Sequence, residues 1–178
     1  MEFVLSQAIG NLELGTVSDR SPAVGWFDAE HLLALPAGEL EGLIDESGKA
    51  EEMLISVLER FQRLCREYDI QTDYQLGAIH SPDRPAGQAT ISHIYTRIRE
   101  RIDCPYYMER PAGRYLYLCC RGRWDLTETY SALAGYLEEN QVQTVGSIYA
   151  CDLAGFILNG VEKNAVSMVS VRLLEGKG

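Results

Sequence analysis

The chain has 178 residues, 46% hydrophobic and 24% charged, with 26 acidic against 16 basic side chains and a net charge of −10. That length holds one domain or two small ones with a real core, and the acidic balance argues against a phosphate-binding surface, which must be basic at least locally. No apolar run approaches the roughly 18 residues of a membrane span, and the opening MEFVLSQAIG lacks the basic region and apolar core of a secretory signal, so a cytoplasmic protein with no membrane partner is expected.

In chain order, LELGTV and AVGWF read as two short strands about Ser21-Pro22, a hairpin within an N-terminal extension over 1–30 that would lid a groove with Trp26 and Phe27. HLLALPAGELEGLI (31–44) carries a β-rich start and leads into KAEEMLISVLERFQRLCREY (49–68). There Met53, Leu54, Val57, Leu58, Phe61, Leu64, Cys65 and Tyr68 form one apolar stripe, the mark of a helix covering something flat. YQLGAIHS (74–81) and ATISHIYTRI (89–98) follow as a strand pair joined by PDRPAG. Arg97, Arg99 and Arg101 recur at period two, as on a solvated strand face.

A second series repeats the first. GRYLYLCC (113–120) is β-rich, DLTETYSALAGYLEEN (125–140) is a one-sided helix, and SIYACDLAGFIL (147–158) and AVSMVSVRLL (165–174) are strands around NGVEKN. In the helix, Asp125 and Glu128 have capping-box spacing and Leu126, Tyr130, Leu133, Ala134 and Leu137 make the stripe. The tripeptide PAG at 36–38 and 111–113 lies at similar distances before the two helices, while the copy at 85–87 sits in a hairpin turn. Matched spacing of this kind signals internal duplication. The expected fold class is α+β: duplicated strand-helix-strand-strand units, 31–102 and 103–178, forming a pseudo-twofold antiparallel sheet. Helices cover one face and a ligand groove opens on the other.

Five cysteines, Cys65, Cys104, Cys119, Cys120 and Cys151, form no CxxC pair and are odd in number. They read as small apolar residues, so neither a disulfide framework, a metal nor any cofactor is expected.

The segments ISHIYTRI, MERPAGRYLYLCCRG, YSALAGYLEENQ, IYACD and SMVSVRLL resemble the gyrase-inhibitor-like effector-binding domain, the drug-binding half of MerR-type multidrug-responsive regulators. The resemblance covers roughly 31–174 and carries no catalytic signature. It implies the duplicated fold above and a groove for lipophilic, often cationic, aromatic molecules. In the family a buried glutamate follows the tyrosine of the Y-acid strand and pairs with the cation. Here Tyr149 matches the tyrosine, Ala150 stands where the glutamate would, and Asp152 is the carboxylate one pleat further on. Ile91, His93 and Tyr95 match the drug-facing side of their strand, Ile55 a pocket position on the first helix, and Ala165 a position where the family has an aromatic. Trp124 stands in for part of that wall, and Tyr117 adds a further strand tyrosine.

Each has a plainer reading: Asp152 facing solvent, His93 hydrogen-bonded within its strand, the tyrosines packing, Trp124 anchoring a loop. Still, ten tyrosines and two tryptophans against four phenylalanines suit a wet pocket for flat ligands. The leading expectation is a binding protein for small aromatic or amphipathic molecules, as part of a transcriptional regulator or as a stand-alone sensor. Nucleic acid would be reached only through a separate DNA-binding domain or protein, and self-association is compatible. The alternatives are a gyrase-inhibitor-like hydrolase of reactive aromatic natural products, with Asp152 and His93 activating water, and an acidic protein that inhibits a larger target by mimicking nucleic acid.

Overall fold

The structure, a computed structural model, describes residues 22–40, 50–81, 91–121, 127–152 and 166–175. The strands are β1 (Ala23–Phe27), β2 (Glu30–Pro36), β3 (Thr72–His80), β4 (Ile91–Ile98), β5 (Tyr107–Arg110), β6 (Gly113–Arg121), β7 (Thr144–Asp152) and β8 (Val166–Leu173). The helices are the single turn α1 (Ala37–Leu40), α2 (Ala50–Glu67) and α3 (Thr127–Glu139).

All eight strands form one antiparallel sheet in the order β1-β6-β8-β7-β3-β4-β2-β5. The order contains the duplication. β3-β4-β2 of the first unit mirrors β7-β8-β6 of the second, and β3 joins β7 at the centre. Two outer strands complete the symmetry by exchange: β1, which leads into β2, pairs with β6 of the other unit, while β5, which leads into β6, pairs with β2. The strand pair YMER–GRYL shows the same device as AVGWF–EHLL. AVGWF is thus an edge of the main sheet, Trp26 is exposed and Phe27 turns inward. LELGTV lies outside the described residues.

Chain length dictates the shape. β1 is the first strand of the order and β2 the last but one, yet they are separated only by Asp28 and Ala29; β5, the last, and β6, the second, are likewise separated only by Pro111 and Ala112. Three peptide steps reach about 10 Å at most, so both ends of the sheet must come together, and it curls into a half-barrel. The two connections also show which positions correspond. Phe27 matches Arg110 and Glu30 matches Gly113, so the equivalent of Pro111 is Asp28 and not Pro36. The duplication expected from sequence is present, but Pro36 ends β2 whereas Pro111 precedes β6, and the matched spacing of the two PAG copies is incidental. The third copy lies outside the described residues.

Strand alternation divides the side chains between two faces. On the helix-covered face, Val57, Phe61, Leu64 and Cys65 of α2 pack on Leu33, Leu35, Leu76 and Ile98. Tyr130 and Leu133 of α3 pack on Leu116, Leu118, Ile148, Ala150, Val169 and Val171. On the other, concave face, one cluster draws Leu32, Ala34, Ile79 and Tyr95 from the first unit and Tyr115 and Tyr149 from the second. The five cysteines form no disulfide, and among the described residues no helix is long and apolar enough to cross a membrane.

Candidate functional site

The concave face gathers five aromatic rings from four strands. Phe27 meets Tyr115 edge-on with ring centroids 5.4 Å apart and Tyr117 at 5.5 Å. Tyr95 and Tyr149 stand edge-to-face at 6.4 Å across the junction of the units. Tyr95 can lie this low because its partner in β3 is Gly77: a Cβ there would sit 2.3 Å from the tyrosine ring and 2.6 Å from the Ala150 carbonyl oxygen. Further along the same face, Cys119, Val166 and Met168 form an apolar floor beside Cys151.

A buried arginine fills the centre. Arg110 is only 2% exposed, and its guanidinium carbon lies 4.5 Å from the Tyr115 ring centroid, 4.9 Å from Phe27 and 5.1 Å from Tyr149. Such stacking favours a cation, the more so when it is shielded from water. Nη1 donates to Glu30 Oε2 at 2.9 Å, and Nη2 to Ser170 Oγ at 2.9 Å. Ser170 in turn donates to the Tyr149 carbonyl oxygen at 3.4 Å. Glu30 also accepts from Arg97 Nη1 at 3.3 Å, and Arg97 donates to Gln75. A polar chain from Gln75 to Tyr149 therefore crosses the aromatic face.

Electrostatics follow from this burial. Desolvation is the largest single influence and works against the Arg110 charge, but Glu30, Tyr95, Cys151 and Tyr115 together outweigh it, and the group is held above its already high ordinary value. Burial pushes the Tyr95 hydroxyl well up, and Cys151 adds to the effect. Tyr149 is raised by burial and by Tyr115, against the pull of Arg110. Tyr115 donates to the Pro111 carbonyl oxygen at 2.7 Å, which ties β6 to the crossover that delivers Arg110.

The residues singled out from sequence separate by face. Tyr95, Tyr117 and Tyr149 stand on the concave face, with His93 in the same row as Tyr95, its Nδ1 3.0 Å from Ser92 Oγ. Ile91 does not continue that row. The register slips between Ile79–His93 and His80–Ile91, so Ile91 pairs with His80, whose ring packs against Tyr130 on the helix side. Ile55 is exposed on α2, in the layer that covers the opposite face. Position 152 falls in the row of Ile148 and Ala150, which pack under α3; the side chain of Asp152, like Trp124, lies outside the described residues. Arg97 is not on a solvated face but inside the polar chain, its side chain 12% exposed.

Arg110, Glu30, Tyr115 and Ser170 were not among the sequence candidates, and Phe27 entered only as part of the expected lid. Tyr115 shares the row of Tyr117 in GRYLYL and was readable by alternation. Arg110 had no such signal, since YMER, half charged and followed by Pro, does not look like a strand. A separate open hollow of about 370 Å³, lined by Asp69, Ile70, Gln71, Ile98, Arg99, Glu100 and Ile102, lies beyond the end of α2 and contains none of these groups. Among the described residues no cluster of His, Cys, Asp and Glu has the makings of a metal site.

No protein-family model matches this chain, and no curated protein matches it. Solved structures do. EcmrR in its complex with DNA is similar with a TM-score of 0.64 at 10% identity, over 97% of this chain and 66% of that one. The C-terminal domain of EcmrR gives 0.62 at 10% identity, over 88% of this chain and 98% of that domain. A putative bacterial transcription regulation protein from Staphylococcus aureus gives 0.50 at 6% identity, over 87% and 99%. This chain thus spans a whole EcmrR C-terminal domain but under two thirds of the longer EcmrR chain. The fold is the gyrase-inhibitor-like fold, shared with the C-terminal domain of EcmrR.

Proposed function

We propose that this chain is an effector-binding module for small, flat aromatic molecules, held against the concave face between the two units. The observation that carries the reading is the division of the sheet. Helices cover the aliphatic rows of one face, whereas among the described residues no helix packs on the aromatic row of Phe27, Tyr95, Tyr115 and Tyr149. A concave apolar surface with few, well-held polar groups is the usual form of a small-ligand site. It lies where the units join, so a ligand there touches both.

Tyr149, Tyr95 and Tyr117 are the stacking residues of this reading, and His93 stands at its rim. The role of the module is to couple occupancy to a DNA-binding part, on the same chain or another, by favouring one arrangement of the two units over another. The resemblance of the fold to the C-terminal domain of EcmrR, a protein also solved in complex with DNA, supports that context.

The test is calorimetric titration of the chain with a panel of lipophilic aromatics of either charge and of none. At least one should bind at micromolar concentration, and Tyr149→Ala should weaken it about three- to tenfold, the value of one aromatic contact. A panel with no binder at all would overturn the reading.

A further inference from the structure

The aromatic box on the concave face already holds a cation. Three rings that would receive an organic cation surround the guanidinium of Arg110 at 4.5 to 5.1 Å. Glu30, the carboxylate that would pair with such a ligand, is taken up by Arg110 at 2.9 Å and by Arg97 at 3.3 Å. A ligand cation entering here would meet like charge at close range, in surroundings that screen it poorly.

Two further features point the same way. Although the chain as a whole carries a charge of −10, the concave rows collect basic groups. Arg172, paired with Tyr115 and so on the same face, lies over Gly113, where a Cβ would meet its Nε at 2.6 Å. With Arg97 and Arg110 that makes three guanidinium groups on this face. The second feature is Arg110 itself. Its two terminal nitrogens are bonded, to Glu30 and Ser170, but its Nε–H is buried with no hydrogen-bond partner. Buried donors are rarely left so, and this one stands at the centre of the aromatic surface, oriented by the bonds of its neighbours.

We propose that the groove selects against organic cations and takes flat aromatic ligands bearing a carboxylate or comparable acceptor, received by the Nε–H of Arg110. The proposal rests on the effector-binding reading above and names the ligand class of that site. Arg110 then contributes a charge-assisted hydrogen bond, while the tyrosines around it supply the stacking surface for the ligand ring.

Three bicyclic probes of similar size separate the possibilities in calorimetric titrations: 2-naphthoate, naphthalene-2-carboxamide and N-methylquinolinium. The intact chain should bind 2-naphthoate at least about tenfold more tightly than N-methylquinolinium, with the carboxamide between them. In Arg110→Met the advantage of 2-naphthoate should fall to within about twofold. If that variant does not fold, the charge-balanced pair Glu30→Gln/Arg110→Met serves instead. In the unmodified chain, the Arg110 Nε–H resonance should move downfield on adding 2-naphthoate and stay in place with N-methylquinolinium. Equal binding of the two, or tighter binding of the cation, overturns the selectivity while leaving an effector site. Failure of all three probes, with failure of the broader panel, removes the site itself. A 2-naphthoate preference that survives loss of Arg110, with an unmoved Nε–H, overturns the anchor.

Discussion

The two faces of this sheet use alternate residues of the same strands and do opposite work. Leu116 and Leu118 of β6 go under α3 with Ile148, Val169 and Val171, while Tyr115, just before them, goes to the concave face with Phe27 and Arg110. The helix face has two separate cores, each with its buried members drawn from one unit and covered by that unit's helix. The concave cluster belongs to neither unit alone, because it takes side chains from both. Stability is thus mostly local to a unit, and the candidate site is a property of the junction. The difference lies in chemistry as well: aliphatic rows tolerate a dry cover, whereas tyrosines and guanidinium groups need partners for their polar atoms.

The most forceful way to test that division is to damage the helix face. Phe61, fully buried on the inner side of α2, is the place to start: Phe61→Ala should cost about 4 kcal/mol of stability. Urea unfolding would measure the loss. At temperatures where the variant stays folded, ligand affinity should be unchanged; a large affinity loss would mean the faces are not independent.

On the concave face the comparable experiment removes a charge rather than a ring. Glu30→Ala leaves the guanidinium of Arg110, 3% exposed at its side chain, without its counter-charge, and should cost about 3 kcal/mol. Removing the stranded charge as well, in Glu30→Ala/Arg110→Met, should restore at least half of that in the same urea experiment. A double variant no better than the single one would show that the pair is not the electrostatic centre of this face.

How much of this was legible in the sequence depends on period. Both helices, the six strands of the repeated units and the duplication follow from stripes and alternation, since those patterns report burial directly. β5 escaped because strand signals need apolar or β-branched residues, and YMER owes its place to pairing with EHLL in β2. The PAG spacing pointed to the true duplication through a false correspondence: turn residues mark where a chain bends, not which bend it is. Of the site, the tyrosines were legible because their rows are regular. Ile91 was not, because one slip of register at Ser92 takes it out of the row of His93. Arg110 was invisible for a physical reason: a buried arginine is stabilised by groups far apart in the chain, here Glu30, Phe27, Tyr149 and Ser170.

A smaller effect is expected where the junction is tightest. Gly77→Ala places a methyl against both the Tyr95 ring and the Ala150 carbonyl oxygen and should cost about 2 kcal/mol. Adding Tyr95→Leu removes the ring contact but not the carbonyl contact, so thermal unfolding should show only partial recovery. Full recovery would mean that the central β3–β7 pairing gives way more easily than the packed site beside it.

The mildest probe is alkaline pH, read at the hydroxyls of the concave face. Tyr95 and Tyr149 both have hydroxyls whose ionisation is pushed above the usual value of 10.0, foremost by burial. In the unfolded chain they ionise near pH 10, while in the folded protein they keep their protons. The unfolded state therefore binds fewer protons once the pH passes 10, and stability must fall from there upward. Below pH 10 neither state ionises and the contribution is fully present. Urea midpoints should accordingly hold level to about pH 9.5 and then decline. Tyr95→Phe, which leaves no group to ionise there, should make the decline shallower, whereas Leu133→Ala under α3 should lower the whole curve and leave its slope unchanged. If Tyr95→Phe left the slope untouched, the Tyr95 hydroxyl would have to ionise as readily in the folded protein as in the unfolded chain, and the tight lid that β4 and β7 form over Gly77 would not exclude water.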